Sequence, residues 1–192
     1  PAMKPVWALV SLGLAATLAG GGPLHGQGGV PADGIRVASP DGRNVITVGI
    51  RDGGLRYSVH RDGEPVVLPS RLGFEFRDAP PLLEGLEIAG VESLSRDETW
   101  EQPWGQVRLV RDRHNELTVR VRETGAPRRE FQMVFRASDD GVAFRYHLPA
   151  QPALQDFAIR EERTEFDFAL NHRAWWIPSD RAMSDRSEML YS

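Results

Sequence analysis

Short runs of alternating apolar and polar residues recur along the chain, each closed by a turn-forming pair. Ile46, Val48 and Ile50 alternate with Val45, Thr47 and Gly49; Leu55, Tyr57 and Val59 alternate with Arg56, Ser58 and His60. Asp52-Gly53-Gly54 separates these two runs, and Asp62-Gly63 follows the second. Asp-Gly supplies the positive φ angles of tight hairpin turns, so the pattern predicts a meander of antiparallel strands. The period of two returns at Leu117, Val119 and Val121 and at Phe131, Met133 and Phe135. It returns again after Asp140-Gly141, at Val142, Phe144, Tyr146 and Leu148. Polar residues fill many of the opposite positions, as in strands buried on one face. Behind the first residues, helical character is expected only as a short turn within Pro80 to Ala89. The predicted fold is all-β, an antiparallel β-sandwich.

The two ends of the chain read differently. Val6 to Ala19 is an apolar run behind Lys4, broken by Gly20-Gly21-Gly22-Pro23. It is shorter than the roughly 18–20 apolar residues that cross a bilayer, so a cleaved signal peptide is expected rather than an anchor. A Gly-rich spacer, Gly26 to Gly34, follows it. The expected organisation is signal peptide and spacer over residues 1–29 and one β-sandwich over residues 30–192. The protein is then exported and free of the membrane after cleavage. At the other end, Trp175-Trp176-Ile177-Pro178 gives way to a polar stretch ending at Ser192. Strand edges are normally covered, so the sandwich is expected to be incomplete at its C-terminal end.

Composition narrows the function classes. The chain has 192 residues, 41% of them hydrophobic, enough to build one sizeable core. A net charge of −4 lacks the basic surplus of a nucleic-acid binder. No cysteine is present, which excludes disulfides and thiolate metal sites. Phosphate-binding P-loops, HExxH and GxSxG are all missing from the sequence.

Several clusters carry candidate chemistry. Trp100 and Trp104 flank Glu101-Gln102-Pro103. Paired indoles beside a carboxylate can stack on a pyranose face, or they can be core or interface aromatics that pack a loop. His114-Asn115-Glu116 offers acid–base or ligating groups, or a turn with capped backbone groups. In a strand, neighbouring side chains point to opposite faces, so Asn115 and Glu116 cannot both face one site. Asp139-Asp140 precedes Gly141 and reads first as a turn former. Glu161, Glu162 and Glu165 form one acidic cluster, and Asp180, Asp185 and Glu188 another; either could be a cation site or a solvated face.

These segments also resemble a known family in order along the chain. Asp97-Glu98-Thr99-Trp100 with Pro103-Trp104-Gly105 resembles the "DETW…PVWGE" segment of glycoside hydrolase family 97. His114-Asn115-Glu116-Leu117 is similar to that family's "R-N-H-Y-N-E-L-x-V" strand, with Arg113 where Asn is common. Asp140-Gly141-Val142-Ala143-Phe144-Arg145-Tyr146 resembles its "DDGxxFRYxxP" hairpin, and Pro149 falls in place. Ala174-Trp175-Trp176-Ile177-Pro178 and Glu188-Met189-Leu190-Tyr191 resemble its "AWWIP…YExLY" end, with Ser187 where Tyr is usual.

The resemblance implies an N-terminal β-supersandwich, of the galactose-mutarotase-like kind, ahead of a catalytic (β/α)8 barrel. It implies an exported bacterial enzyme, periplasmic or secreted, that acts on oligosaccharides as an α-glucosidase or α-galactosidase. No catalytic residue is then expected in this chain. Calcium is implied beside the active site, with Glu188 as the one ligand from this domain. Trp100, Trp104, His114, Asn115, Glu116, Trp175 and Trp176 are the expected substrate-binding or domain-interface residues. A non-catalytic carbohydrate-binding module and a structural or adhesion domain are the competing readings.

Overall fold

The computed structural model describes residues 34–171 and 173. The expected signal peptide and spacer at 1–29, together with Trp175, Trp176 and Glu188, lie outside the described residues.

Four short strands follow one another first: β1 (Ile35–Ala38), β2 (Asn44–Arg51), β3 (Gly54–Arg61) and β4 (Glu64–Arg71). They pair antiparallel in sequence order. Both Asp-Gly pairs form the predicted turns, with φ of 51° and 75° at Asp52 and Gly53, and 53° and 85° at Asp62 and Gly63. Two successive positive φ angles give the turn whose twist matches the flanking strands. After β5 (Phe74–Phe76) come β6 (Leu86–Glu101), β7 (Leu109–Glu123), β8 (Glu130–Ser138) and β9 (Val142–His147), a second antiparallel sheet in sequence order. The last strand, β10 (Ile159–Glu162), pairs with β5 after one turn of 3₁₀ helix at Pro152–Leu154.

The two four-stranded sheets stack. Ile46, Val48, Leu55 and Tyr57 from one meet Leu117, Val119, Val121, Phe131, Met133 and Phe135 from the other, all at most 2% exposed. These are the predicted inward positions, and each buried side chain of this size stabilises the fold by about 1.5–3 kcal/mol. The last predicted run behaves differently: Val142 is 39% exposed, and Phe144, Tyr146 and Leu148 are only half-buried. Val142, Phe144 and Tyr146 lie in β9, the outermost strand of its sheet, whose inner face lacks a neighbour on one side, and Leu148 follows it.

No helical turn forms at Pro80 to Ala89, contrary to expectation. Leu82 instead makes an antiparallel bridge to Phe74, and Leu86 opens β6. Pro80 and Pro81 have no N–H to give a helix, and their carbonyls accept from Arg129 Nη1 at 2.7 Å and Nη2 at 3.3 Å. Arg129, 1% exposed, also forms a two-pronged pair with Glu123, Nε to Oε2 at 2.8 Å and Nη2 to Oε1 at 2.6 Å. Its guanidinium lies 5.5 Å from the centre of the Phe76 ring. One side chain thus ties the β7–β8 turn to the proline segment and to β5.

Hydrogen bonds from Arg129 hold the Glu123 carboxyl below its ordinary pKa of 4.5. A depressed folded-state value means that the pair's contribution is complete above the unfolded value, about pH 4.5. It is lost as pH falls through the folded value. Arg129→Leu strands the buried carboxylate and should lower stability by about 3–5 kcal/mol in urea denaturation at neutral pH. The gap between wild type and variant should narrow in acid, when Glu123 protonates.

Candidate functional site

The most exposed aromatic element is the far end of the β6–β7 hairpin. β7 pairs with β8 only from His114 to Arg122, so Asp97–Glu101 and Leu109–Arg113 form a two-stranded arm beyond it. Isolated ribbons are marginal in water, and charge pairs lace this one. Arg111 clasps Asp97 through Nε and Nη2, both at 2.7 Å, and Arg108 Nε meets Glu101 at 2.7 Å. The Gln102 side chain donates to the Val107 carbonyl at 2.6 Å and closes the tip. Hydrogen bonding from Arg111 holds the Asp97 carboxyl below the ordinary carboxylate range.

This arm presents the predicted tryptophans outward. Trp100 is 51% exposed and Trp104, at the tip, 81%. They are therefore not core aromatics, whereas the sugar-platform and interface readings both call for exposed indoles. Val107 and Leu109, 56% and 61% exposed, extend the apolar surface. The projecting element thus carries a grouped, exposed apolar surface.

His114, Asn115 and Glu116 sit within β7, not in the turn that was one sequence reading. Strand alternation separates them as foreseen. Asn115 faces the other sheet, donating to the Ala38 carbonyl of β1 at 2.8 Å and accepting from Ser95 Oγ at 2.7 Å. Glu116 accepts from Arg136 Nε at 2.7 Å. His114, 1% exposed, lies on the Glu116 side, its Nδ1 2.5 Å from Asp112 Oδ1. A carboxylate accepts there, so Nδ1 carries the proton. Nε2 lies 4.0 Å from Glu116 Oε2, beyond hydrogen-bonding distance, and has no partner among the described residues. Cross-strand pairing places Trp100 beside Val110, and Val110 is four residues, about 13 Å, along β7 from His114. The arm's indoles and the buried histidine therefore do not form one site.

The carboxylate clusters are structural among the described residues. Asp139 accepts from the Asp41 amide and from Arg113 Nη1, each at 2.9 Å, beside the tight Ser138–Gly141 turn. Glu161 pairs with Arg163 at 2.8 Å and Glu162 accepts from Thr164 Oγ1 at 2.6 Å. Glu165 accepts from the Arg71 amide at 3.0 Å. Among the described residues, no group of three or more His, Asp or Glu could hold a metal ion. Sequence reasoning missed an apolar groove of about 380 Å³ between the sheets, walled by Tyr57, Val67, Val142, Phe144 and Phe166. Only the aromatic density of Phe144, Tyr146 and Phe166 hints at it. Burial pushes the phenols of Tyr57 and Tyr146 up to about 12, so neither is an acid–base group near neutrality.

With this geometry in place, comparison with known proteins is decisive. The glycosyl-hydrolase 97 N-terminal family model matches residues 37–192. The chain belongs to that family. A relative described as a probable retaining alpha-galactosidase of Streptomyces bingchenggensis is 34% identical over 145 residues, 73% of this chain and 22% of the relative. A glycoside hydrolase family 97 enzyme from Pseudoalteromonas sp. strain K8, solved in complex with panose and with acarbose, superposes with a TM-score of 0.72 at 36% identity. That match covers 76% of this chain and 22% of the other. A beta-arabinopyranosidase structure gives 0.63 at 29% identity, covering 70% of this chain and 21% of its own. This glycosyl-hydrolase 97 N-terminal domain thus spans about a fifth of the length of the relatives it matches.

The contrast between arm and histidine is measurable. His114→Ala empties a buried position and removes the donor from Asp112; a loss of about 2–4 kcal/mol in urea denaturation is expected. Trp104→Ala should change the same measurement by less than about 0.5 kcal/mol, since the indole is exposed.

Proposed function

We propose that this domain is the N-terminal support of an exported, exo-acting α-glycosidase, an α-glucosidase or α-galactosidase removing terminal sugars from oligosaccharides. The observation that carries the reading is that a glycosyl-hydrolase 97 N-terminal match runs to residue 192, while the chain covers 22% of relatives that are glycosidases. Glycosidic hydrolysis uses two carboxyl groups about 5–10 Å apart, one of them kept protonated by its surroundings. Asp97, Glu123, Asp139, Glu161, Glu162 and Glu165 are instead held by arginines, a hydroxyl or backbone amides, and the groove between the sheets is mostly apolar. In this reading the bond-breaking pair belongs to a (β/α)8 barrel elsewhere in the full-length protein.

In this reading the β6–β7 arm is the domain's contribution to the pocket wall, with Trp100 and Trp104 meeting the barrel or a bound sugar. Glu188 gives calcium one oxygen ligand of the hard type that the ion takes. A single carboxylate cannot hold calcium, so the remaining ligands come from the barrel. The bound ion would neutralise negative charge beside the sugar. The periplasm is the compartment we assign.

The full-length protein should hydrolyse p-nitrophenyl α-glucoside or α-galactoside, and residues 1–192 alone should not. Hydrolysis by the chain alone would overturn the proposal. Saturable quenching of its tryptophan emission by maltooligosaccharides, lost in Trp104→Ala, would favour a free-standing binding module. Glu188→Gln in the full-length protein should weaken calcium-dependent activity; unchanged dependence removes Glu188 from the metal site.

A further inference from the structure

β6 is an edge strand of the second sheet, and among the described residues no strand lies on its open side. Every residue from Val91 to Glu101 is exposed. The register fixes which backbone groups face outward. Gln102 N donates to Arg108 O at 3.0 Å, and the same pairing runs back without a shift to Gly90. Bonded and open residues alternate along an antiparallel strand, so Ser93, Ser95, Asp97 and Thr99 turn N–H and C=O to the free side. An open edge of this length is a template for another strand.

Around Asp97 this edge is complementary to itself. Ser95 and Thr99, Arg96 and Glu98, and Leu94 and Trp100 stand at equal distances on either side of it. A two-fold axis through Asp97, normal to the sheet, sets Arg96 opposite Glu98 of a second copy, Ser95 opposite Thr99 and Leu94 opposite Trp100, each twice. The charged and apolar pairs fall at the sites without hydrogen bonds, where facing Cα atoms come closest, about 4.5 Å. Arg96 Nη1 already lies 3.5 Å from Glu98 Oε2 of its own chain, so the four charges alternate around the axis. The like charges at the axis are covered, because Arg111 clasps each Asp97 through two bonds of 2.7 Å. Neighbouring registers do worse. An axis at Arg96 or Glu98 sets that charge against itself, one at Ser95 opposes Glu92 to Glu98, and one at Leu94 leaves Glu98 facing Gly90.

We propose that two copies of this chain pair antiparallel along β6 from Leu94 to Trp100, joining their second sheets into one. Trp104, at the arm's tip, lies beyond the paired stretch and stays available for the pocket wall. So short a pairing buries less than the roughly 1,200 Å² of a standard interface, so it is reversible and the arms are single in dilute solution. This inference rests on the strand edge and stands apart from the glycosidase reading.

Sedimentation velocity of the chain over a range of concentrations should show the mass of one copy rising reversibly to that of two. Arg96→Glu or Glu98→Arg sets like charges opposite each other twice and should weaken self-association roughly tenfold or more. An equimolar mixture of the two variants restores both opposite-charge pairs and should associate as the wild type does. In the wild type, raising the concentration should slow amide exchange at Ser95, Asp97 and Thr99 but not at Arg96 and Glu98, whose N–H groups already face β7. A single mass at every concentration overturns the proposal, as does association that the single variants leave unchanged or their mixture fails to restore. Protection of Ser95, Asp97 and Thr99 that does not vary with concentration also overturns it, because the chain itself would then cover the edge.

Discussion

Exclusion of water from between two stacked antiparallel sheets is the constraint on which the rest of this domain depends. Val48, Val119, Val121, Phe131, Met133 and Phe135 are fully buried there, and they come from strands far apart in sequence. Strand alternation then places every residue between them on an outer face, so the core positions decide what remains for contact with other partners. A one-residue slip of β7 would turn Leu117, Val119 and Val121 outward and bring Thr118 and Arg120 into the core. Register and surface chemistry are therefore set by the same burial.

From that core, two features extend that it does not satisfy. The β6–β7 arm outruns its neighbour β8 and is held by arginine–carboxylate pairs that are largely exposed, which are weak in water. The groove beside β9 is left half-roofed because one sheet is wider than the other. Both expose aromatic surface, and both belong to a chain whose match covers about a fifth of its glycosidase relatives. A support domain for a larger enzyme has reason to carry such surfaces; a self-sufficient binding domain has less. The buried polar groups serve the scaffold: Arg129 pins a turn to a proline segment, and Asn115 links the two sheets.

Much of the fold was legible because its signals are local. Asp52-Gly53 and Asp62-Gly63 specify their hairpin turns through backbone geometry, and the strand faces follow from alternation. The environment of His114 was not legible, because its burial depends on β6 and β8, which lie across the sheet from it. Nor could sequence tell that Trp100 and Trp104 face water, since an indole suits a core and a contact surface equally. The expected helical turn after Pro80 failed because Phe74, on the neighbouring segment β5, bridges to Leu82. Ordered motifs identified the family where periodicity alone stopped at a sandwich.

Native-state amide hydrogen exchange on the chain tests the central claim most directly. The account predicts slowest exchange in β2, β3, β7 from Leu117 to Val121, and β8, with Asp97–Glu101 and Leu109–Arg113 exchanging far earlier. Protection of that arm equal to β8, or rapid exchange throughout β8, would contradict a core centred between the two sheets with the arm left free for a partner.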